Sequence, residues 1–122
     1  MLFRSLLLIG QASLDDLSRH VGRPMDMLRF RPNLVIDGAD AFAEDGWKRL
    51  RIGDVEFRVV KPCSRCILTT IDPHTGERSA DREPFVTLEA YRKTEDGAMF
   101  GQNLVNDGVG RLEVGMPVTV LE

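Results

Sequence analysis

Apolar residues open the chain in a near-continuous run, so residues 2–9 predict a buried strand. Leu14, Leu17 and Val21 then recur at helical spacing as far as Gly22, and Ser13 stands before Asp15-Asp16 as an N-cap, which predicts a short, surface-packed helix. Residues 25–30 fit no single period, and Arg31-Pro32-Asn33 breaks the pattern ahead of a strand at 34–38. A loop or short helical turn follows at 39–45. Two strand-like runs, 47–52 and 55–60, meet at Gly53-Asp54 as a hairpin. The β-branched stretch 66–71 reads as a further strand, closed by the turn Asp72-Pro73-His74-Thr75-Gly76. Residues 83–93 predict a second helix with Pro84 in its first turn, and strands are expected near 100–105, 111–114 and 117–121. Many short strands with only two modest helices make a β-rich α+β fold, a small barrel being favoured over an open sheet.

A chain of 122 residues buries roughly two-thirds of its unfolded surface, enough for one core, so residues 1–122 are expected to form a single domain. A net charge of −3 and a pI near 5.4 provide no basic field for nucleic acid. The longest purely aliphatic run, Leu6 to Ile9, falls far short of the roughly 20 residues of a spanning helix, so no membrane partner is expected. The opening Met1-Leu2-Phe3-Arg4 has one basic residue and no small-residue cleavage site after its apolar run, which points to a cytoplasmic protein.

Cys63 and Cys66 are the two cysteines, set in Lys61-Pro62-Cys63-Ser64-Arg65-Cys66. Their spacing has three readings. A structural zinc site needs four ligands, and only His20 and His74 remain to complete it. A thioredoxin-type pair needs its first cysteine at a helix N-terminus, whereas here strand-like residues follow. Alternatively, both are small buried hydrophobes, although Arg65 between them favours a thiolate, the form that binds a soft metal. Arg31-Pro32-Asn33 joins a five-donor cation to an amide across a rigid proline, suited to a phosphate or polar heterocycle, or it is an exposed loop. In Phe100-Gly101-Gln102-Asn103 the glycine permits close approach of another group, or marks a strand start beside a bulge. Asp37, Asp40, Glu44 and Asp45 form an acidic cluster that misses EF-hand spacing and reads as a solvated loop. Trp47 and the methionines read as packing residues.

Three segments together resemble one family: 30–36 around Arg31-Pro32-Asn33, 60–76 around Cys63-Ser64-Arg65-Cys66, and Phe100-Gly101-Gln102-Asn103. They are similar to the MOSC domain (molybdenum cofactor sulfurase C-terminal), within it to the branch of the mitochondrial amidoxime-reducing component and its bacterial relatives. The similarity runs from about Ala12 through Val118. It implies a MOSC-type β-barrel holding the molybdenum cofactor (molybdopterin), a pterin dithiolene with an anionic phosphate. By the same resemblance Cys66 is the catalytic thiolate and molybdenum ligand, Arg31 and Asn33 contact the cofactor, and Ser64, Arg65 and Asn103 line its site. Asn103 stands where some relatives have Tyr. Relatives of this branch carry a further N-terminal domain that completes the pocket, and this chain opens where they are still passing between the two, so that companion domain is expected to be absent.

These residues agree chemically with such a site. A soft thiolate suits a metal already bound to dithiolene sulfurs, with Arg65 expected to lower the cost of ionising Cys66 and Arg31 to bind the anionic group. The resemblance implies an oxidoreductase that reduces N-hydroxylated small molecules, with electrons from a ferredoxin-type or flavin reductase partner. The alternative is a sulfur-carrier or cofactor-delivery module using a persulfide on Cys66 or Cys63. Its sulfur would come from a cysteine desulfurase, and pyridoxal phosphate would enter only through that separate partner. A third class is a cofactor-free remnant of the fold.

Overall fold

The computed structural model describes residues 5–108 and 110–122, so the beginning of the expected first strand, residues 2–4, lies outside the described residues. Strand β1 (Leu6–Gly10) leads directly into helix α1 (Gln11–Val21), which returns the chain to β2 (Leu34–Ile36). β1 and β2 pair in parallel, as a helical crossover permits, and all other pairings are antiparallel. The hairpin β3 (Arg49–Ile52) and β4 (Val55–Arg65) turns at Gly53, whose φ is +58°. Helix α2 (Phe85–Tyr91), the two-residue strand β5 (Lys93–Thr94), the long β6 (Gly97–Asn106) and β7 (Val118–Val120) complete the chain.

The strand order is β2-β1-β6-β4-β3-β7, with β5 pairing to β6. This mixed sheet curls into a nearly closed barrel. The seam between β2 and β7 is lined by Asn33–Ile36, Ile52, Val118 and the 112–116 loop. Successive residues of a strand face opposite sides, and in β1 both sides are buried: Leu8 joins the barrel interior and Ile9 the layer under the helices. The interior is filled by Leu8, Ile36, Leu50, Ile52, Val55, Phe57 and Leu104. Outside it, Leu14 and Leu17 of α1 and Leu88 of α2 pack on Ile9, Phe30 and Phe100. Trp47 packs against the interior cluster, as expected of it.

Gly101 resolves one sequence alternative. Its φ is +93°, and a Cβ there would lie 2.9 Å from the Leu7 side chain and 3.2 Å from Leu8 O. Between the pairs Pro62↔Gln102 and Ser64↔Met99, β6 has one residue more than β4, so Gly101 sits in a bulge of β6, and what comes close to its backbone is β1.

Three expectations about elements need correction. Ser13 is not the N-cap of α1: the helix begins at Gln11, capped at Gly10, and Ser13 is buried inside it. The cap comes from across the fold, since Glu44 Oε2 accepts from Gly10 N at 2.7 Å and from Ser13 Oγ at 2.8 Å. Residues 66–71 are not a strand but a 3-10 turn, Ile67–Thr70. Thr69 Oγ1 donates to Cys66 O and Thr70 Oγ1 to Ile67 O, so the hydroxyls fold the chain back on its own carbonyls and override β-propensity. Residues 111–114 form no strand and run irregularly into a turn at Val114-Gly115, with Val114 fully exposed. Among the described residues no helix is long and apolar enough to cross a membrane.

Candidate functional site

β4 pairs with β6 along almost its whole length, and two irregularities in the register, between Val59 and Lys61 and between Pro62 and Ser64, re-aim its end. Pro62 is tolerated in the strand because it sits in this irregular stretch. The strand thus delivers Cys63-Ser64-Arg65 to one rim of the barrel, and Cys66 follows as the extended residue that starts the 3-10 turn. Cys66 is exposed and Cys63 half-buried.

A second 3-10 turn, Met27–Arg29, lies opposite. Arg29 Nη1 donates to Thr69 O at 3.2 Å, tying the two turns together. Asp26 joins the Met27–Arg29 turn to the loop that follows the other. It caps its own turn by accepting from Leu28 N at 2.9 Å, and it meets His74 Nε2 of the 72–76 turn at 2.7 Å. Between the turns is a cleft of about 320 Å³, lined by the polar Arg31, Ser64, Arg65 and Cys66 and by the apolar Leu28, Leu68, Ile71 and Pro73. Leu28 and Leu68 are 54% and 64% exposed, so these apolar side chains are open to an incoming molecule.

The Leu28 amide, followed by His74, holds the Asp26 carboxyl below the ordinary value of about 3.8. A depressed carboxyl contributes stability that is present above its ordinary pKa and is lost as the pH falls through the lower folded value. Asp26→Asn is accordingly expected to be less stable than the wild type above about pH 4 and to converge with it in stronger acid. Urea denaturation of both proteins across pH 2–7 measures the difference, and a gap independent of pH would refute this role.

The sequence-derived residues divide. Arg31, Ser64, Arg65 and Cys66 come together in the cleft. Asn33 does not: its Oδ1 accepts from Leu7 N at 2.8 Å and its own N donates to Leu7 O, which closes the β1–β2 register, and it lines the barrel seam. Asn103 lies on β6 between Leu7 and Lys61 and lines a shallow hollow with Ser5, Arg58 and Lys61. Arg65 also differs from expectation. Its guanidinium bonds Cys63 Sγ at 3.2 Å and Phe30 O at 2.8 Å, so its hydrogen bonds go to these two groups rather than to Cys66. The Arg31 guanidinium pairs with no carboxylate among the described residues and remains available at the cleft.

The other chemical readings find little in the geometry. Among the described residues no three His, Cys, Asp or Glu side chains group to hold a metal. His20 stacks on Tyr91 at 4.1 Å and His74 is engaged with Asp26, so neither joins the cysteines. Cys63 lies within β4, away from any helix start. The acidic cluster is not simply a solvated loop. Glu44 is 1% exposed, and Asp45 bonds Arg92 Nη2 at 2.6 Å and Gln102 Nε2 at 2.9 Å. The sequence reading missed Arg29, Leu28 and Leu68. Arg29 stands two residues before Arg31, in the segment that fits no single period, and that proximity was the available signal.

Comparison with known proteins places these observations. The sequence profile of the MOSC domain matches residues 2–119. The chain is 44% identical over 123 residues to mitochondrial amidoxime-reducing component 1 of Homo sapiens, covering 94% of this chain and 36% of that protein. It is 43% identical over 120 residues to mitochondrial amidoxime reducing component 2 of Rattus norvegicus, covering 91% and 35%. Molybdenum cofactor sulfurase of Oryza sativa subsp. japonica is 37% identical over 105 residues, with 79% of this chain and 13% of that protein covered. The chain thus spans about a third of the length of the amidoxime-reducing relatives. The crystal structure of YiiM from Geobacillus stearothermophilus shares the fold, with a TM-score of 0.64 and 17% identity over 96% of this chain and 54% of that one.

Proposed function

Because this chain belongs to the MOSC domain family, we propose that it binds the molybdenum cofactor in the cleft between the two 3-10 turns, with the Cys66 thiolate as the protein ligand to molybdenum. It would then serve as the cofactor-holding part of an oxidoreductase acting on N-hydroxylated small molecules. The observation that carries this reading is the exposed Cys66 beside Arg31 and Ser64 in one cleft. The donor set fits the group: a sulfur donor open to a soft-ligand metal, a cation for its anionic parts and a hydroxyl for its polar ring.

Each residue has a defined task in this reading. Cys66 leaves the strand at a fixed angle because the Thr69 and Thr70 hydroxyls lock the turn that follows it. Arg31 offers charge-assisted hydrogen bonds to the anionic phosphate or pterin edge. Ser64 can donate or accept in the cleft, and Leu28 and Leu68 give an apolar substrate body a surface that excludes water. When bound, the cofactor supplies the oxygen-atom and electron transfer, and the protein binds and orients it. Electrons would come from a ferredoxin-type or flavin reductase partner.

Expression in a cofactor-producing host tests the reading. Purified protein is expected to carry molybdenum and pterin approaching one equivalent, and Arg31→Ala to carry about tenfold less, the loss of one charge-assisted contact. Cyanide-labile sulfur without molybdenum would instead support the sulfur-handling reading, with a cysteine desulfurase as partner. Well-folded protein with neither would overturn both.

A further inference from the structure

Arg65 is engaged by the protein itself. Residues two apart in a strand share a face, and on that face Arg65 Nη1 donates to Cys63 Sγ at 3.2 Å while Nη2 donates to Phe30 O at 2.8 Å. Its guanidinium also lies over the Phe30 ring at 5.3 Å. Phe30 is an immobile anchor, 1% exposed and packed against Phe100 with ring centroids 4.6 Å apart. A planar fork held by two acceptors and a ring face has little freedom to follow a ligand.

The carbonyl that Arg65 holds belongs to the peptide joining Phe30 to Arg31. Arg31 adopts φ +51°, the left-handed region that side chains with a Cβ avoid. Such a conformation persists only where its surroundings over-determine it. Two bonds do so here: Arg31 N donates to Leu28 O at 3.3 Å, and Arg65 pins Phe30 O. Without the second, the Phe30–Arg31 peptide is free to rotate and Arg31 relaxes toward an ordinary backbone that aims its side chain elsewhere.

We propose that Arg65 is a positioning residue: backed by Cys63, it locks the Phe30–Arg31 peptide and so keeps Arg31 directed at the cleft, without itself contacting the anionic ligand. The inference rests on the reading that Arg31 binds the cofactor, and it gives Cys63 a task distinct from that of Cys66. The hydrogen-bonding partner behind Arg65 is what Cys63 provides, so a serine there should serve and an alanine should not.

Two measurements on the whole chain test it. The first is pterin retained per protein after expression in a cofactor-producing host, read by fluorescence after oxidation. Arg31→Ala and Arg65→Met are each expected to lower retention about tenfold, and the double variant to fall no further than Arg31→Ala alone, because the two act through one contact. Arg65→Lys is expected to be intermediate, Cys63→Ala to lose about two- to threefold, and Cys63→Ser to recover that loss. The second measurement needs no cofactor: backbone chemical shifts or a crystal structure of Arg65→Met are expected to show Arg31 leaving the left-handed region. Losses that multiply in the double variant, or an Arg31 still left-handed in Arg65→Met, would overturn the proposal. If Arg65→Met does not fold, the backbone of Arg31 in Cys63→Ala decides in its place, a displaced Arg31 supporting the proposal and an unmoved one refuting it. If Arg31→Ala keeps its full pterin content, the cofactor reading fails at Arg31, while the backbone measurement still tests the lock.

Discussion

Cys66→Ala is expected to purify with less than about a tenth of the wild-type molybdenum, while Cys63→Ala retains at least about a third. The two thiols differ in environment. Cys66 is exposed in the cleft, where its sulfur is open to a metal, and Cys63 is half-buried with its sulfur engaged by Arg65. In the proposed reading Cys66→Ala would remove the protein's bond to molybdenum and leave only hydrogen bonds and packing to hold the cofactor, whereas Cys63→Ala would loosen Arg65 and act on the cofactor through Arg31. The exposed Cys66 side chain takes no part in either hydrophobic cluster, so its replacement should change stability by no more than about 0.5 kcal/mol. Elemental analysis together with a thermal melt of each variant checks both halves. Equal molybdenum in Cys66→Ala and wild type, or loss confined to Cys63→Ala, would show that the ligand has been misassigned.

Glu44→Ala is expected to destabilise the fold by about 3 kcal/mol, through the loss of a helix cap and of the acceptor for two buried donors. Gly10 has no side chain to cap α1, and Gly10 N and Ser13 Oγ both donate to Glu44 Oε2. Ser13 Oγ in turn accepts from Phe42 N at 2.8 Å, so one carboxyl organises the start of α1 and the 3-10 turn that carries Glu44. Its other oxygen, Oε1, is buried without a partner among the described residues, and it lies 3.0 Å from where a Cβ on Gly10 would stand. Alanine empties this space and leaves both donors unpaired. Glutamine keeps an acceptor oxygen and should recover at least half of the loss. In a domain of this size the alanine variant should melt about 10 °C lower, and chemical denaturation should give the same ranking. A loss below about 0.5 kcal/mol would mean that water satisfies both donors as well as Glu44 does.

The strands most legible in the sequence are those whose burial is written locally. The run ending at Ile9, the short Leu34–Ile36 strand, and the hairpin turning at Gly53 all sit where alternation or an apolar run placed them. Two strand expectations failed for local reasons. At 66–71 the threonine hydroxyls bond backward to carbonyls, and at 111–114 a turn at Val114-Gly115 interrupts the run before β7. The Ser13 cap failed for a distant reason, because the partner of the helix start is 34 residues away at Glu44.

The site divides along the same line. Arg31, Ser64, Arg65 and Cys66 were legible because they sit in two compact motifs, and those motifs meet in the cleft. Leu28, Arg29 and Leu68 were not, since their place depends on two 3-10 turns meeting across some 40 residues of chain. Asn33 belongs to the same motif as Arg31, yet its amide is taken up by the edge of β1.

By itself the sequence determined a β-rich α+β barrel with two helices, the family to which the chain belongs, and the two motifs that meet in the cleft. These follow from hydrophobic periodicity, turn chemistry and contiguous motifs, all of which act over a few residues. Only the tertiary structure decided that Glu44 is buried as a helix cap, that Arg65 bonds Cys63 and Phe30, and that Leu28 and Leu68 line one cleft with the thiol. Each of those is a pairing between distant segments. Which donor a given acceptor meets is fixed only when the sheet register and the packing of the turns bring the two together.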